Sequence, residues 1–599
     1  MHRSRLFLRV FITIIIASLL LGGLSITPAA NAVAARSVIV QSDTAEAAAQ
    51  LVERFGGEVT STLPIINGVG ALLTPDAAAA LDAMDGVRVT ANAPAQLTKH
   101  SFEPVAKNGK GVETDYPDVT GADLVWNEGV TGQGVTVAVV DTGIANHPDL
   151  KKKSQGNGNS PVIGWVDFVD GKKNPTDPNG HGTHIAGIIA NATVGADGEY
   201  LGMAPGVDLV GVRVLDETGA GYYEDVIQGI QWVVENKDRY NIKVMNLSLH
   251  ALVQSPYWAD PLNQAVMRAW AEGITVVVAA GNSGPNPMSI SVPGNNPYVI
   301  TVGSFTDSYT VNDWTDDTIA EFSAAGPTLD GFVKPDLVAP GAHIVSTMNP
   351  GSYIARNHDA NRIEAQYFSM AGTSQSAAVV SGVAALALSN NPDLTPNELK
   401  HRLMFTALPW ITLDETDVLY SVWQQGAGRL NAYDAVLATD IEGSANLNMD
   451  IAADLAGEMH YEGYSYFDEE TGKFLLRGYE DMTSGFGAWS GGFGAWSGGF
   501  GAWSGSLGAW SGGFGAWSGS LGAWSGSLGA WSGSLGAWSG SLGAWSGGFG
   551  AWSGSLGAWS GSLGAWSGSL TDQTFVENFI NGVSPSIDTT SASINWVEE

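Results

Sequence analysis

Four runs that are apolar almost throughout, Val135 to Val140, Asp208 to Val214, Val244 to Leu249 and Ile274 to Ala280, constrain this chain more than any other feature. A strand with one solvated face alternates in polarity. Runs this uniform and this rich in Val and Ile predict parallel strands covered on both faces. Amphipathic helical patterns lie between them, including Tyr223 to Asn236 and a segment opened by Asp260-Pro261 and stopped at Gly273. The alternation over residues 115–437 predicts an α/β fold with a doubly wound, mainly parallel sheet. In such sheets function gathers beyond the carboxyl ends of the strands, so candidate catalytic residues are those that follow strand ends.

Residues 36–100 read as a separate small α+β unit. Ser37 to Gln41, Glu58 to Thr62, Gly68 to Leu73 and Val87 to Thr90 have strand character. An Ala-rich helix, with Asp43 and Glu46 as a capping box, follows the first strand and stops at Gly56-Gly57. A second helix opens at Thr74-Pro75-Asp76 and ends at Gly86. The order βαββαβ predicts a ferredoxin-like domain. Upstream, basic residues to Arg9, an apolar stretch from Val10 to Leu24 and the A-x-A site Ala30-Asn31-Ala32 have the layout of a secretory signal peptide over 1–32. The stretch is short for a membrane span, and no later one offers the roughly 18 uninterrupted apolar residues a span needs. The expectation is a secreted or cell-surface protein whose mature form has no transmembrane span.

Beyond the α/β region, residues 438–483 are acidic, with Lys473 and Arg477 their only Lys or Arg, and read as a linker. Residues 484–570 repeat GAWSGGF or GAWSGSL with a period of seven, from Trp489, Trp496 and Trp503 to Trp566, and 571–599 form a C-terminal segment. Two or three Gly per heptad, at about 1 kcal/mol each, disfavour a helix. An odd period sends successive Trp side chains to opposite faces of a strand. Turns, disorder or a stacked repeat are expected for this low-complexity tail. Its indoles either contact glycans or a cell surface, or the block is a spacer grown by duplication.

Lys and Arg number 27 against 60 Asp and Glu in 599 residues, a formal charge of −33. The electrostatic footprint of a nucleic-acid partner is missing. With no cysteine, disulfides, thiolate metal sites and a cysteine nucleophile are excluded. Covalent catalysis would fall to another side chain. Asp141-Thr142-Gly143 ends the first apolar run, NGHGTHIAGIIA puts His181 at the start of an apolar helix with His184 one turn on, and Ser374 in AGTSQSAAVVSGVAALAL opens another. Singly, the carboxylate could cap a turn, and the two histidines lack the further ligand cluster that zinc would want. In the order Asp, His, Ser they make a nucleophilic triad the natural reading. The helix opening at Ser374 adds partial positive charge for an anion forming beside that hydroxyl.

The strings VVDTGI, HGTHIAG and AGTS, with VVVAAGNSG as a fourth, resemble blocks of the subtilisin-like serine peptidases, the subtilases. That resemblance implies a subtilisin-like fold and a serine endopeptidase acting through an acyl-enzyme. It implies Ser374 as nucleophile, His181 as general base and acid, Asp141 as its orienting carboxylate, and Asn282 with the Ser374 backbone N–H as the oxyanion hole. A base must be neutral and an unperturbed imidazole titrates near 6.5, so activity is expected near or above neutral pH. NLSLHAL resembles the family's substrate-binding strand, giving Ser248, Leu249 and His250, with Gly281 on another pocket wall. The family commonly has Gly at the position of His250, which is either a specificity residue or a loop histidine. No pocket segment offers a carboxylate, so a strict demand for Lys or Arg at the cleaved position is not expected.

The 36–100 unit resembles the family's inhibitory propeptide, implying self-cleavage between about Ala95 and Tyr116 and a propeptide that binds its own enzyme. After the nucleophile the family continues Met-Ala with a Pro following, whereas this chain reads Gln375-Ser376-Ala377-Ala378. No cofactor is implied for catalysis. A structural calcium is compatible with Asp149, which matches one ligand position of many relatives, but no metal-binding set is identified. The partners implied are protein or peptide substrates. The contrasting reading is a surface adhesion or structural protein built on a degenerate peptidase scaffold.

Overall fold

Strand β6 (Thr136–Asp141) is buried at every residue and lies in the interior of the larger sheet. The computed structural model describes residues 34–97, 112–150, 160–311, 313–410, 419–439, 441–470, 472–477, 488–562 and 566–570, the last two ranges as backbone only. The signal-like segment 1–32, residues 98–111 of the expected cleavage window, residues 478–487 at the start of the repeats and the segment 571–599 lie outside the described residues.

The chain divides into two compact units, 1–62 with 67–91, and 63–66 with 92–599. In the first, β1 (Arg36–Gln41), β2 (Glu58–Leu63), β3 (Gly68–Leu73) and β4 (Arg88–Ala91) form one sheet in the order β2-β3-β1-β4, with β1 antiparallel to both neighbours. Helices Ala45–Arg54 and Pro75–Asp82 complete the βαββαβ order. Val38, Val40, Val52, Val69 and Leu81 are core members there, placed by alternation along strands and by helical spacing. The first helix is capped differently from the sequence expectation: Thr44, not Asp43, accepts from the Ala47 N–H at 3.1 Å.

The second unit begins with β5 (Pro94–Gln96) and contains β6 (Thr136–Asp141), β7 (Val162–Asp167), β8 (Asp208–Arg213), β9 (Ala220–Tyr222), β10 (Ile242–Leu247), β11 (Thr275–Ala279), β12 (Ile300–Thr306), β13 (Thr318–Ile319) and β14 (Leu337–Pro340). The large sheet runs β13-β12-β11-β10-β6-β8-β7, with β14 also on β12. Its pairs are parallel except β12 with β13. Sequence order reverses between β6 and β10, which makes the carboxyl ends of these two strands the switch point where a crevice opens. Helix Thr373–Asn390 packs on β10, β11 and β12, and helix Tyr223–Tyr240 packs on β6, β8 and β10. The latter runs past the expected Asn236 and ends where Asn241 takes a left-handed conformation at φ 53°.

A smaller sheet joins β15 (Ile344–Thr347), β16 (Arg362–Glu364) and β17 (Tyr367–Met370) in the order β15-β17-β16. The acidic stretch read as a linker carries folded structure: helix Ile451–Leu455 and a hairpin of β18 (Ser465–Asp468) and β19 (Lys473–Leu476). Phe474 and Leu476 are buried with Ala325, Val333 and Trp423. Alternation in Lys473-Phe474-Leu475-Leu476 carried this signal beneath the excess of charge. In the repeats, β20 (Ala488–Ser562) and β21 (Trp566–Leu570) pair in parallel with Trp552 opposite Trp566, an offset of two heptads that matches like with like. Among the described residues no helix is long and apolar enough to cross a membrane.

Candidate active site

Strand β6 ends on Asp141, and the chain leaves it through Gly143, whose φ of 117° needs glycine. The helix His181–Ala190 begins beside that turn, and a Cβ on Gly182 would collide with the Gly143 carbonyl, so the two motifs approach as closely as backbone allows. The approach is fixed by Asp177, which sequence reasoning missed. Its carboxylate accepts from Thr142 Oγ1 (2.8 Å), Gly180 N (2.8 Å), Thr183 N (2.8 Å) and Thr183 Oγ1 (2.7 Å), joining the Asp141 turn to the first turn of the helix. Burial pushes the Asp177 carboxyl above its ordinary range, and these four donors oppose the shift. Its place four residues before His181, just ahead of the helix, was the available sequence signal.

His181 Nδ1 lies 2.7 and 2.9 Å from the two carboxylate oxygens of Asp141, and both residues are fully buried. A carboxylate only accepts, so in the neutral ring Nδ1 carries the proton and Nε2 keeps its lone pair. The Thr142 N–H donates to Asp141 Oδ1 at 2.7 Å and holds the carboxylate in this orientation. His184 points elsewhere, with Nε2 3.0 Å from the Phe368 carbonyl, and burial followed by the neighbouring His181 lowers its pKa to about 3. It is a neutral core histidine, and the two histidines do not form a metal pair.

Ser374 lies in the first turn of helix Thr373–Asn390, which packs against helix His181–Ala190. Its Oγ donates to the Ser248 carbonyl at 3.2 Å, while Ser248 Oγ donates to the Ser374 carbonyl at 2.9 Å. Asn282 follows β11, and its Oδ1 accepts from Thr373 N (2.9 Å) and Thr373 Oγ1 (2.8 Å). A backbone N–H can only donate, so the amide orientation is fixed with Nδ2 turned away from Thr373. Thr373 Oγ1 in turn accepts from the Gly281 N–H at 3.2 Å. Gln375, the residue after Ser374, is fully buried with no hydrogen-bond partner for Oε1 or Nε2.

The segment Ser248 to His250 follows β10, with Ser248 and Leu249 buried. Gln96 exchanges two hydrogen bonds with His250, N to O at 3.0 Å and O from N at 2.9 Å. On its other side β5 pairs antiparallel with β9, so residues 94–96 lie as a strand between two edges. Burial lowers the His250 pKa. Asp149 Oδ2 accepts from the Tyr367 hydroxyl at 2.9 Å, and Asp149 belongs to no cluster of three His, Asp or Glu ligand atoms among the described residues.

A family model described as the Subtilase family (Peptidase_S8) matches residues 132–442. The serine protease AprX of Bacillus subtilis strain 168 is 45% identical over 312 residues, covering 51% of this chain and 67% of that protein. Subtilisin DY of Bacillus licheniformis is 36% identical over 291 residues, covering 48% of this chain and 88% of the relative. Among solved structures, fervidolysin from Fervidobacterium pennivorans, a keratinolytic enzyme related to subtilisin, superposes with a TM-score of 0.52 at 24% identity. That match covers 69% of this chain and 62% of fervidolysin, and speaks to fold alone.

Proposed function

Because this chain belongs to the subtilase family and is a subtilisin-like serine protease, we propose that it is a secreted, autoprocessed endopeptidase using Asp141, His181 and Ser374 as its triad. The observation that carries this reading is the fully buried Asp141–His181 contact at 2.7 Å, beside the helix that opens at Ser374. Ser374 Oγ bonds to the scissile carbonyl carbon as its proton passes to His181 Nε2. The oxyanion is received by Asn282 Nδ2 and the Ser374 backbone N–H. Collapse breaks the C–N bond, His181 returns the proton to the leaving amine, and a water repeats the sequence to release the acid. Asp141 holds the imidazole and stabilises its cation. The chemistry needs no cofactor.

Residues 94–97 support autoprocessing. Gln96 pairs with His250, and Ser248, two residues earlier, has its carbonyl 3.2 Å from Ser374 Oγ, so we assign the cleaved bond to the residue two beyond Gln96. The scissile bond is then Thr98–Lys99, just outside the described residues and within the window from Ala95 to Tyr116. The acyl side pairs as an added strand, which is how a protein substrate would bind and how a cleaved propeptide would inhibit. Ala95 is fully buried, so a small side chain is favoured at the fourth position from the scissile bond. The Trp repeats stand outside this chemistry, and as a surface or glycan tether their removal costs adhesion but leaves proteolysis intact.

The test is processing of the full proprotein beside Ser374→Ala, read by mass spectrometry and labelled-casein cleavage at mildly alkaline pH. The parent should mature with Lys99 at its new N-terminus and cleave casein, while the variant stays intact and inert. Equal processing in both proteins overturns the assignment of Ser374, and an N-terminus away from Lys99 overturns the register.

A further inference from the structure

Away from the catalytic crevice, three segments distant in sequence bring an imidazole and two carboxylates together. Asp115 precedes helix Tyr116–Thr120, Asp307 follows β12, and His343 precedes β15. One ligand atom from each lies within 4.8 Å of the others. His343 Nε2 is 2.6 Å from Asp307 Oδ1 and 3.7 Å from Asp115 Oδ2. The Tyr309 ring stacks on the imidazole with centroids 3.8 Å apart and shields that side.

Asp307 is only 4% exposed, and its Oδ2 has no hydrogen-bond partner. A buried carboxylate oxygen without a donor is costly. The second carboxylate compounds the cost: Asp115 Oδ2 lies 3.7 Å from the same imidazole nitrogen, so two like charges converge on one group. One imidazole proton can be directed at one acceptor only, so His343 does not satisfy both aspartates together. A divalent cation does.

We infer that Asp115, Asp307 and His343 form a structural binding site for a divalent metal of the zinc class. The imidazole argues against calcium, which takes oxygen ligands, and the mixed N/O set without sulfur suits zinc and its first-row neighbours. At zinc–ligand distances of about 2.1 Å a tetrahedral edge is about 3.4 Å, near the 3.7 Å between His343 Nε2 and Asp115 Oδ2; the 2.6 Å from His343 Nε2 to Asp307 Oδ1 is too short for such an edge, so Asp307 would ligate through its unpartnered Oδ2. With three protein ligands, water completes the shell. The ion ties the segment at Asp115 to the far edge of the large sheet, which stabilises the unit without touching the reaction. The site is independent of the triad assignment.

Full-length protein carrying Ser374→Ala, to suppress autolysis, is stripped with chelator and titrated with Zn²⁺ by calorimetry. Thermal melts are recorded with and without the metal. Asp307→Asn and His343→Asn are compared, the latter because Asn tolerates the left-handed backbone at φ 44°. Each variant should lose one equivalent of zinc or bind it at least tenfold more weakly, and lose the zinc-dependent rise in Tm. Asp123→Asn, in the separate cluster of Asp118, Asp123 and Glu199, should retain the affinity of this site. Should either buried variant fail to fold, Asp115→Asn decides, because the Asp115 side chain is 28% exposed. Zinc stoichiometry, affinity and Tm response unchanged in the folded variants, or no zinc bound by the parent, overturns the inference.

Discussion

Thr373→Val isolates how Asn282, the proposed oxyanion donor, is positioned. The hydroxyl donates one of the two hydrogen bonds that orient Asn282 Oδ1, at 2.8 Å, and the Thr373 backbone N–H supplies the other at 2.9 Å. Valine keeps the shape and removes the hydroxyl, both as donor to Asn282 Oδ1 and as acceptor from the Gly281 N–H. Losing an oxyanion donor outright costs about 100- to 1000-fold in kcat, a range measured in subtilisin itself. Losing one of two bonds behind it is worth about 1 kcal/mol, or about 5-fold in kcat. The contact strengthens only as charge develops on the carbonyl oxygen, so KM should not change. Stability should fall by about 1–3 kcal/mol, because the buried Gly281 N–H loses its acceptor. The assay is kcat and KM on a chromogenic peptide for Thr373→Val, Asn282→Leu and the double variant. A residue acting through Asn282 adds nothing once Asn282 is gone. A full further 5-fold loss in the double variant, or a raised KM at unchanged kcat, would refute the argument.

Three further outcomes follow from buried polar groups, all measurable on the Ser374→Ala background. His184, held neutral with its pKa lowered to about 3, is charged in the unfolded chain below about 6.5. Its stabilising effect is complete above pH 6.5 and is lost as pH falls towards 3, at about 1.4 kcal/mol per pH unit, and His184→Gln should flatten the pH dependence of the urea midpoint. An unchanged slope would rule His184 out. Gln375→Met keeps the side-chain length and removes two unpartnered polar atoms, so chemical denaturation should show a gain of about 1–3 kcal/mol, and a loss would mean that the amide is satisfied. Lys400 Nζ, fully buried, donates to Pro297 O at 2.8 Å and Val299 O at 3.2 Å and pairs with Asp336 Oδ1 at 3.1 Å. Lys400→Met should cost about 3–5 kcal/mol, and a cost under 1 kcal/mol would show the pair to be dispensable.

Strands buried on both faces were the most legible part of the fold. The apolar runs Val135 to Val140 and Ile274 to Ala280 correspond to Thr136–Asp141 and Thr275–Ala279, each buried throughout. Edge strand β7 left a weaker trace, because Ile163 is exposed while Gly164 is buried. The acidic stretch misled for a related reason. Its charged residues outnumber the Phe474 and Leu476 that pack beside Trp423, so composition reported the solvated face and hid the buried one.

The residues proposed as catalytic stand in recognisable strings because local geometry constrains their neighbours as well as themselves. Gly182 has no Cβ to collide with the Gly143 carbonyl beside Asp141, and Thr373, next to Ser374, is hydrogen-bonded to Asn282. Each functional atom therefore leaves a string of several residues in the sequence, and four such strings in one chain are hard to mistake. Asp177 stands just outside the HGTH string yet holds two of these elements together by accepting four hydrogen bonds. Asp115, Asp307 and His343 follow the opposite rule. Each is one side chain on an ordinary loop with no demand on its neighbours, and only the closed sheet and its connections bring the three within 4.8 Å.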